Sequence, residues 1–175
     1  MSARSLIAIA LLLASCDQRK PGASREDARL AQAINADIAK IRAGNPGIKN
    51  ACLEKLRANK LGAFEWADNP HCYDMLPDQN WSGLWNSGWE WTNFCSDPAK
   101  ECGATSDRGG IWLIFAKGAY SGPELRDGVY HIDFVGRRTK IAGYFGHQAQ
   151  YDHLMVVDRI ISIEHIPGEK YSKRF

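Results

Sequence analysis

The chain lacks an excess of charge of either sign, and it lacks the motifs that mark several enzyme classes. Its 22 lysines and arginines nearly balance 20 aspartates and glutamates, for a formal net charge of +2. Binding to nucleic acid through phosphates requires a basic surface, so this balance argues against a nucleic-acid partner. No P-loop, no Gly-x-Ser-x-Gly elbow and no His-Glu-x-x-His sequence is present, so the sequence names no reaction.

The chain also lacks an apolar run long enough to cross a bilayer. The run at residues 6–14 has nine residues, whereas about 20 are needed to span the hydrocarbon layer. It follows Arg4 and precedes Ser15 and Cys16. A basic residue, a short apolar run and small residues in this order are typical of a removable leader. We therefore predict that residues 1–15 are a signal peptide.

The end of this leader carries a further motif. Leu13-Ala14-Ser15-Cys16 resembles the lipobox of bacterial lipoproteins. The resemblance implies thioether lipidation of Cys16, cleavage just before it and acylation of the new N-terminus, which includes palmitate-type chains. Each buried methylene adds about 0.8 kcal/mol, so two or three chains would hold the protein on a membrane. The alternative is an ordinary secretory leader followed by a chance cysteine.

The resemblance also implies a location. We expect a membrane-anchored protein on the periplasmic face of the bacterial cell envelope. Asp17, directly after the lipidated cysteine, favours the inner membrane over the outer, and the choice between them stays open. Removal of Arg4 with the leader leaves a nearly neutral mature chain of one domain. Residues 16–23 carry the lipidated cysteine and a polar tether with Pro21-Gly22.

Four cysteines remain besides Cys16, an even number. In an exported domain this predicts two disulfides, with three possible connectivities. Local pairing favours Cys52 with Cys72 and Cys95 with Cys102. A zinc site is the alternative, but the spacings lack a Cys-x-x-Cys pair. We predict no metal and no cofactor.

Two helices are predicted at residues 24–62, as a hairpin. Ser24 and Asp27 resemble a capping box, and an apolar stripe ends at Gly44. Asn45-Pro46 offers a cap and first residue for a second helix ending near Gly62. The stripe is expected to pack on the rest of the protein, with a partner as the alternative. Its members are Leu30, Ile34, Ile38 and Ile41.

The helical pattern ends near residue 62, and strand-like patterns follow. For residues 63–175 we therefore predict a disulfide-containing, β-rich domain packed with the helices. Residues 63–80 lose periodicity, and a turn is expected at Asn86-Ser87-Gly88. Strand-like runs follow at residues 110–120, 128–137 and 153–166, rich in β-branched and aromatic residues. The fold class is therefore α+β, a helical hairpin followed by a small antiparallel sheet. An OB-like barrel is one closure and an open sheet the other.

An aromatic cluster is the first candidate ligand site. Trp81, Trp85, Trp89 and Trp91 fall within eleven residues. Exposed indoles stack on sugars or peptide side chains, whereas buried indoles fill a core with each N–H bonded locally. Trp89 and Trp91 would share one strand face. We expect core packing and keep the ligand platform as the alternative.

A basic segment is the second candidate. Arg137 and Arg138 precede a glycine-rich stretch with Tyr144 and His147. Clustered guanidinium groups beside exposed backbone N–H groups can hold a carboxylate or phosphate. Basic residues at a strand end also keep a loop solvated and protect an edge, which is the simpler interpretation.

Histidine supplies the third candidate. His131 and Asp133 are two residues apart and should share a strand face, opposite Tyr130, Ile132 and Phe134. An imidazole oriented by a carboxylate serves as a general base or metal ligand. A polar outer strand face explains the pair more simply.

The leading hypothesis is a non-enzymatic envelope lipoprotein that binds or supports a protein or cell-wall glycan partner. The alternative is a hydrolase or metal-dependent enzyme using His131, Asp133 and His147. An enzyme should gather these side chains in a concave pocket, whereas a binding module should leave them dispersed on a flat face.

Overall fold

The computed structural model describes residues 24–58, 67–88, 92–103, 109–146 and 149–167. Two helices precede the strands, as the α+β prediction requires. The helices are α1 (Arg25–Gly44) and α2 (Asn50–Arg57), followed by a short 3-10 turn at Pro70–Cys72. The strands are β1 (Gln79–Ser87), β2 (Asn93–Ser96), β3 (Gly110–Phe115), β4 (Gly128–Arg138) and β5 (Tyr151–His165).

Helix α1 begins with the predicted capping box. The Ser24 hydroxyl accepts the Asp27 backbone N–H, and the Asp27 carboxylate accepts the Ser24 backbone N–H. These two bonds satisfy donors that an uncapped first turn would leave unpaired. The apolar stripe packs over only part of the helix, since Ile38 is buried but Leu30 is 61% exposed. None of the described helices has the length and apolar character to cross a bilayer.

Helix α2 runs antiparallel to α1, so the helical hairpin is confirmed. Side chains link Arg42 to Asn50 at the turn and Arg57 to Asn35 further along. The predicted start at Asn45-Pro46 is wrong, because α2 begins at Asn50. Asn45 instead ends α1, and it is 1% exposed.

The hairpin turn is attached to the β-rich part by close packing. The Asn45 side-chain oxygen accepts the Tyr144 backbone N–H at 2.8 Å. The Tyr144 ring lies directly on Gly44, where an added Cβ would be 2.4 Å from a ring carbon. A side chain at position 44 would therefore displace the ring, which explains the glycine there.

The five strands form one curled half-barrel sheet in the order β2-β1-β4-β5-β3. Three of the four pairings are antiparallel, but β3 and β5 are parallel, so the wholly antiparallel prediction is wrong. The reason is that β5 lies between β3 and β4 instead of beside β4 at an edge. β1 lies partly in the segment predicted to be irregular. It also continues through Asn86 and Ser87, so the turn expected to begin at Asn86 is wrong.

The concave side of the sheet encloses the larger core. Side chains alternate along β4, with Tyr130, Ile132 and Phe134 buried and the residues between them partly exposed. Phe134 and Phe94 meet edge to face with ring centroids 5.2 Å apart. Other buried members come from several strands: Trp85, Leu113, Met155 and Val157.

A second core lies between the helices and the convex side of the sheet. Ile38 and Leu53 bring the helices against Leu154 of β5, and Tyr73 and Phe145 fill the space between. The convex side is therefore covered by helices only at the β3–β5 end.

Both predicted disulfides are confirmed. Cys52 pairs with Cys72, which joins α2 to the 3-10 turn, and Cys95 pairs with Cys102. The second bridge closes a loop that covers Leu84 and Val129 on the convex side.

The two disulfides should contribute unequally to stability. The Cys52–Cys72 bridge has a sequence separation of 20 residues and the Cys95–Cys102 bridge one of 7. Loop-closure entropy then gives about 3 kcal/mol for the first and about 2 kcal/mol for the second. Denaturant unfolding of Cys52→Ala/Cys72→Ala and Cys95→Ala/Cys102→Ala proteins measures both. A larger loss from the second pair would contradict the loop-length account.

Candidate functional site

His131 and Asp133 lie together on the convex side of β4. Their side chains are partly exposed, and the concave side carries Tyr130, Ile132 and Phe134, which confirms the predicted division of the strand. The cause is the two-residue alternation of a strand. The pair therefore belongs to a surface and not to the core.

Neither of these two residues has its partner on β4: Asp97 directly follows β2, and Ser162 is on β5. His131 Nε2 lies 3.7 Å from a carboxylate oxygen of Asp97, which itself accepts the Ser82 hydroxyl at 2.7 Å. Asp133 accepts the Ser162 hydroxyl at 2.5 Å.

These side chains form a continuous patch. Strand pairing places Ser82 opposite Asp133 on one side, and Ser162 opposite Asp133 on the other. The Glu164 position is opposite His131 on β5. We call this patch the outer polar face; its members are Ser82, Asp97, His131, Asp133, Ser162 and Glu164.

The outer polar face lies between two covered regions of the convex side. The Cys95–Cys102 loop covers the sheet at Leu84 and Val129, while the helices cover it at Leu154. Between them the side chains of His131 and Asp97 are 40% and 47% exposed. This part of the sheet is therefore accessible to solvent.

The hydrogen bonds keep Asp133 ionised. The hydrogen bond from the Ser162 hydroxyl lowers the pKa of Asp133 below its ordinary value, and the nearby Ser82 hydroxyl and His131 act in the same direction. Hydrogen bonds to a carboxylate favour its charged form. Asp133 therefore presents a fixed negative charge.

The arrangement lacks the geometry of a catalytic dyad. His131 approaches Asp97 instead of the predicted Asp133, and the Ser82 hydroxyl donates to a carboxylate instead of to an imidazole. A serine nucleophile needs a base as its hydrogen-bond acceptor. In the described ranges no three His, Cys, Asp or Glu side chains come together as a metal site. His147 lies outside the described residues.

The two arginines of the basic segment do not act together. Arg137 makes two 2.8 Å hydrogen bonds to the Asp158 carboxylate on the adjacent strand. Arg138 lies 5.9 Å from the Trp81 ring centre. Alternation places neighbouring residues on opposite faces, so the two guanidinium groups do not converge as the alternative interpretation, an anion site, would require.

Arg138 has a different neighbourhood. Its Nε atom is buried without a hydrogen-bond partner in the described part of the chain. His153, which is bonded to Thr139 at 3.0 Å, has its pKa lowered by burial and then by the charge of Arg138. Neutral His153 therefore contributes packing and one hydrogen bond.

Tyr144 borders a small open cleft. The cleft has a volume of about 180 Å³, and the Tyr144 side chain is 38% exposed. Because its ring packs on Gly44 and its backbone bonds Asn45, Tyr144 also attaches the helical hairpin. The lining residues are Ala43, Gly44, Ala142, Gly143, Tyr144 and Asp152.

Two of the four clustered tryptophans, Trp81 and Trp85, are among the residues that the structure describes. Trp85 is buried and donates its indole N–H to Thr92, and Trp81 donates to the Gly136 carbonyl. Both therefore have the local bonds expected of core indoles. Trp89 and Trp91 lie outside the described residues, so their role as core or platform stays a prediction.

Comparisons with protein-family models, with curated proteins and with solved structures found no match to this chain.

Proposed function

We propose that this protein is a membrane-anchored envelope lipoprotein whose folded part binds a protein or cell-wall partner. The observation that carries the proposal is the outer polar face, a charged patch left open between two covered regions of a sheet. Hydrogen bonds link Ser82 to Asp97 and Ser162 to Asp133, and these side chains lie along the surface of a sheet, as a binding module requires. The hydrolase alternative has less support because His131 and Asp133 have separate partners.

The anchor is proposed from the lipobox-like residues at Cys16. Helix α1 begins at Arg25, only nine residues later. A random-coil linker of that length would span about 15 to 18 Å. The binding domain would therefore work close to the bilayer. The curled half-barrel is compatible with an OB-like closure, which we retain as part of the proposal.

In-cell photocrosslinking tests the binding function. A photoreactive residue at Glu164 probes the outer polar face, and one at the exposed Lys55 of α2 is the matched control. We expect mass spectrometry to identify one envelope partner from position 164 and none from position 55. Asp133→Lys, which reverses a charge on that face, should abolish the crosslink without unfolding the protein. Equal capture from both positions, or no capture, would contradict a specific surface here.

A further inference from the structure

Strand β5 is longer than the strand beside it, which leaves part of its edge open. β5 has 15 residues, and β3 pairs only with its first half, from Tyr151 to Val157. β4 pairs with β5 as far as His165 on the opposite side. Among the described residues, no strand pairs with the second half of β5 on the β3 side.

The backbone hydrogen bonds identify which groups face this edge. Ile166 donates its N–H to Val129, on the β4 side, so Glu164 and Ser162 face β4 by alternation. Ile163 and His165, between them, face away from β4. Ile160 also faces away from β4, since its N–H reaches the Ala119 carbonyl on the β3 side. The register shift between Asp133 and Phe134 interrupts the alternation of β5 between Ile160 and Ser162.

The open edge therefore comprises residues 161–165, and it is accessible. Ile161 is 53% exposed, and Ser162, Glu164 and His165 are also exposed. Native sheets protect such edges with lysine, proline or a covering segment. Residues 161–165 read Ile-Ser-Ile-Glu-His and contain neither lysine nor proline.

The two faces beside this edge differ in chemistry. Ser162 and Glu164 belong to the outer polar face, next to the ionised Asp133. On the concave side, Ile163 packs against the main core and His165 contacts the Tyr130 ring, with centroids 5.1 Å apart. An added strand would meet carboxylates on one face and apolar groups on the other.

We propose that residues 161–165 of β5 bind an extended, basic peptide segment of a protein partner as an added strand. The proposal rests on the binding function above and names the surface and the partner's chemistry. Backbone bonds to Ile163 and His165 would hold the segment. Its lysine or arginine side chains would lie beside Glu164, with Asp133 one strand further away on the same face and smaller apolar residues between the basic ones. Arg159 is exposed just before this edge begins. Its positive charge disfavours a basic peptide residue beside it, which restricts how the peptide can align with β5.

Peptide binding to the purified full mature chain in nonionic detergent tests this inference. The probe is a capped, fluorescein-labelled octapeptide of four Lys-Val repeats, and the control is the Glu-Val octapeptide. We expect saturable binding of the Lys-Val peptide by fluorescence anisotropy, weakening as salt is added, and none of the Glu-Val peptide. Equal binding of the two peptides, or no binding, would overturn the proposal.

Protein variants separate the backbone contribution from the charge contribution. His165→Pro removes an N–H that faces the open edge and leaves the β4 ladder donors in place, whereas His165→Ala retains the N–H. We expect about tenfold weaker binding for the proline variant and near-normal binding for the alanine variant. Glu164→Lys should weaken binding about tenfold, while Asp37→Lys, the same charge change on α1, should not.

Two further outcomes distinguish the occupants of the edge. Loss of binding in both His165 variants would overturn strand addition, since a side chain would then be responsible. Concentration-dependent dimerisation abolished by His165→Pro, without peptide binding, would assign the edge to a second copy and overturn the proposal. A crosslinked partner at Glu164 without peptide binding would leave the proposed function intact and refute only this inference.

Discussion

The Cys16→Ser protein is expected to leave the membrane fraction and appear in the soluble periplasmic fraction. The predicted attachment depends on acyl chains at this one sulfur atom, and each buried methylene contributes about 0.8 kcal/mol. Losing all the chains removes essentially the whole binding energy, so the change should be nearly complete. Fractionation of cells followed by immunoblotting measures it, and metabolic labelling with a palmitate analogue checks the acylation directly.

A matched control keeps the cysteine and changes its neighbour. Asp17→Ser should remain membrane-bound, because the acylated atom is unchanged, although it can alter which membrane retains the protein. Unchanged partitioning of Cys16→Ser, with no loss of the labelled acyl chains, would refute the lipobox interpretation. The folded domain and its outer polar face would then need another route to a partner.

Local sequence patterns were sufficient to predict helix α1 and which residues of β4 are buried or partly exposed, but not where α2 begins. The capping box at Ser24 and Asp27 and the stripe through Ile38 are set by residues within two turns of one another. The alternation of His131, Ile132 and Asp133 is likewise a property of a single strand. Interactions of this range can be inferred without knowing the rest of the fold.

Strand order could not be inferred in the same way. β3 precedes β4 in the chain, but β5 is inserted between them, and the alternation within each strand is the same in either order. The parallel pairing of β3 with β5 follows from that insertion. The hydrogen bond that the Asn45 side chain accepts was missed for a related reason. Its donor is the Tyr144 backbone N–H, 99 residues away in the chain.

The sequence predicted only part of the outer polar face. His131 and Asp133 were expected on one surface, but their partners Asp97 and Ser162 come from other segments, and only the strand register brings them together. By contrast, the separation of Arg137 from Arg138 follows from alternation alone. That rule, applied to the predicted strand end, is sufficient to disfavour the alternative of an anion site held by both arginines.

Phe134→Ala should destabilise the fold more than a change at any position of the outer polar face. Phe134 is completely buried, stacks edge to face on Phe94 and lies opposite Ile160 in the strand pairing. Removing the ring deletes apolar contacts and leaves a cavity that a closely packed core fills only partly. The expected loss in the free energy of unfolding is about 3 to 5 kcal/mol, measured by urea denaturation.

Val135→Ala is the control, because position 135 lies on the same strand but on the half-buried convex side. Its expected cost is about 1 kcal/mol or less, since little of the removed surface was fully buried. Similar losses for the two variants would contradict the assignment of the concave side as the core. The comparison also bears on function, because β4 carries Phe134 on one side and Asp133 on the other. A rigid core on the Phe134 side therefore fixes the positions of the carboxylates that a partner would contact.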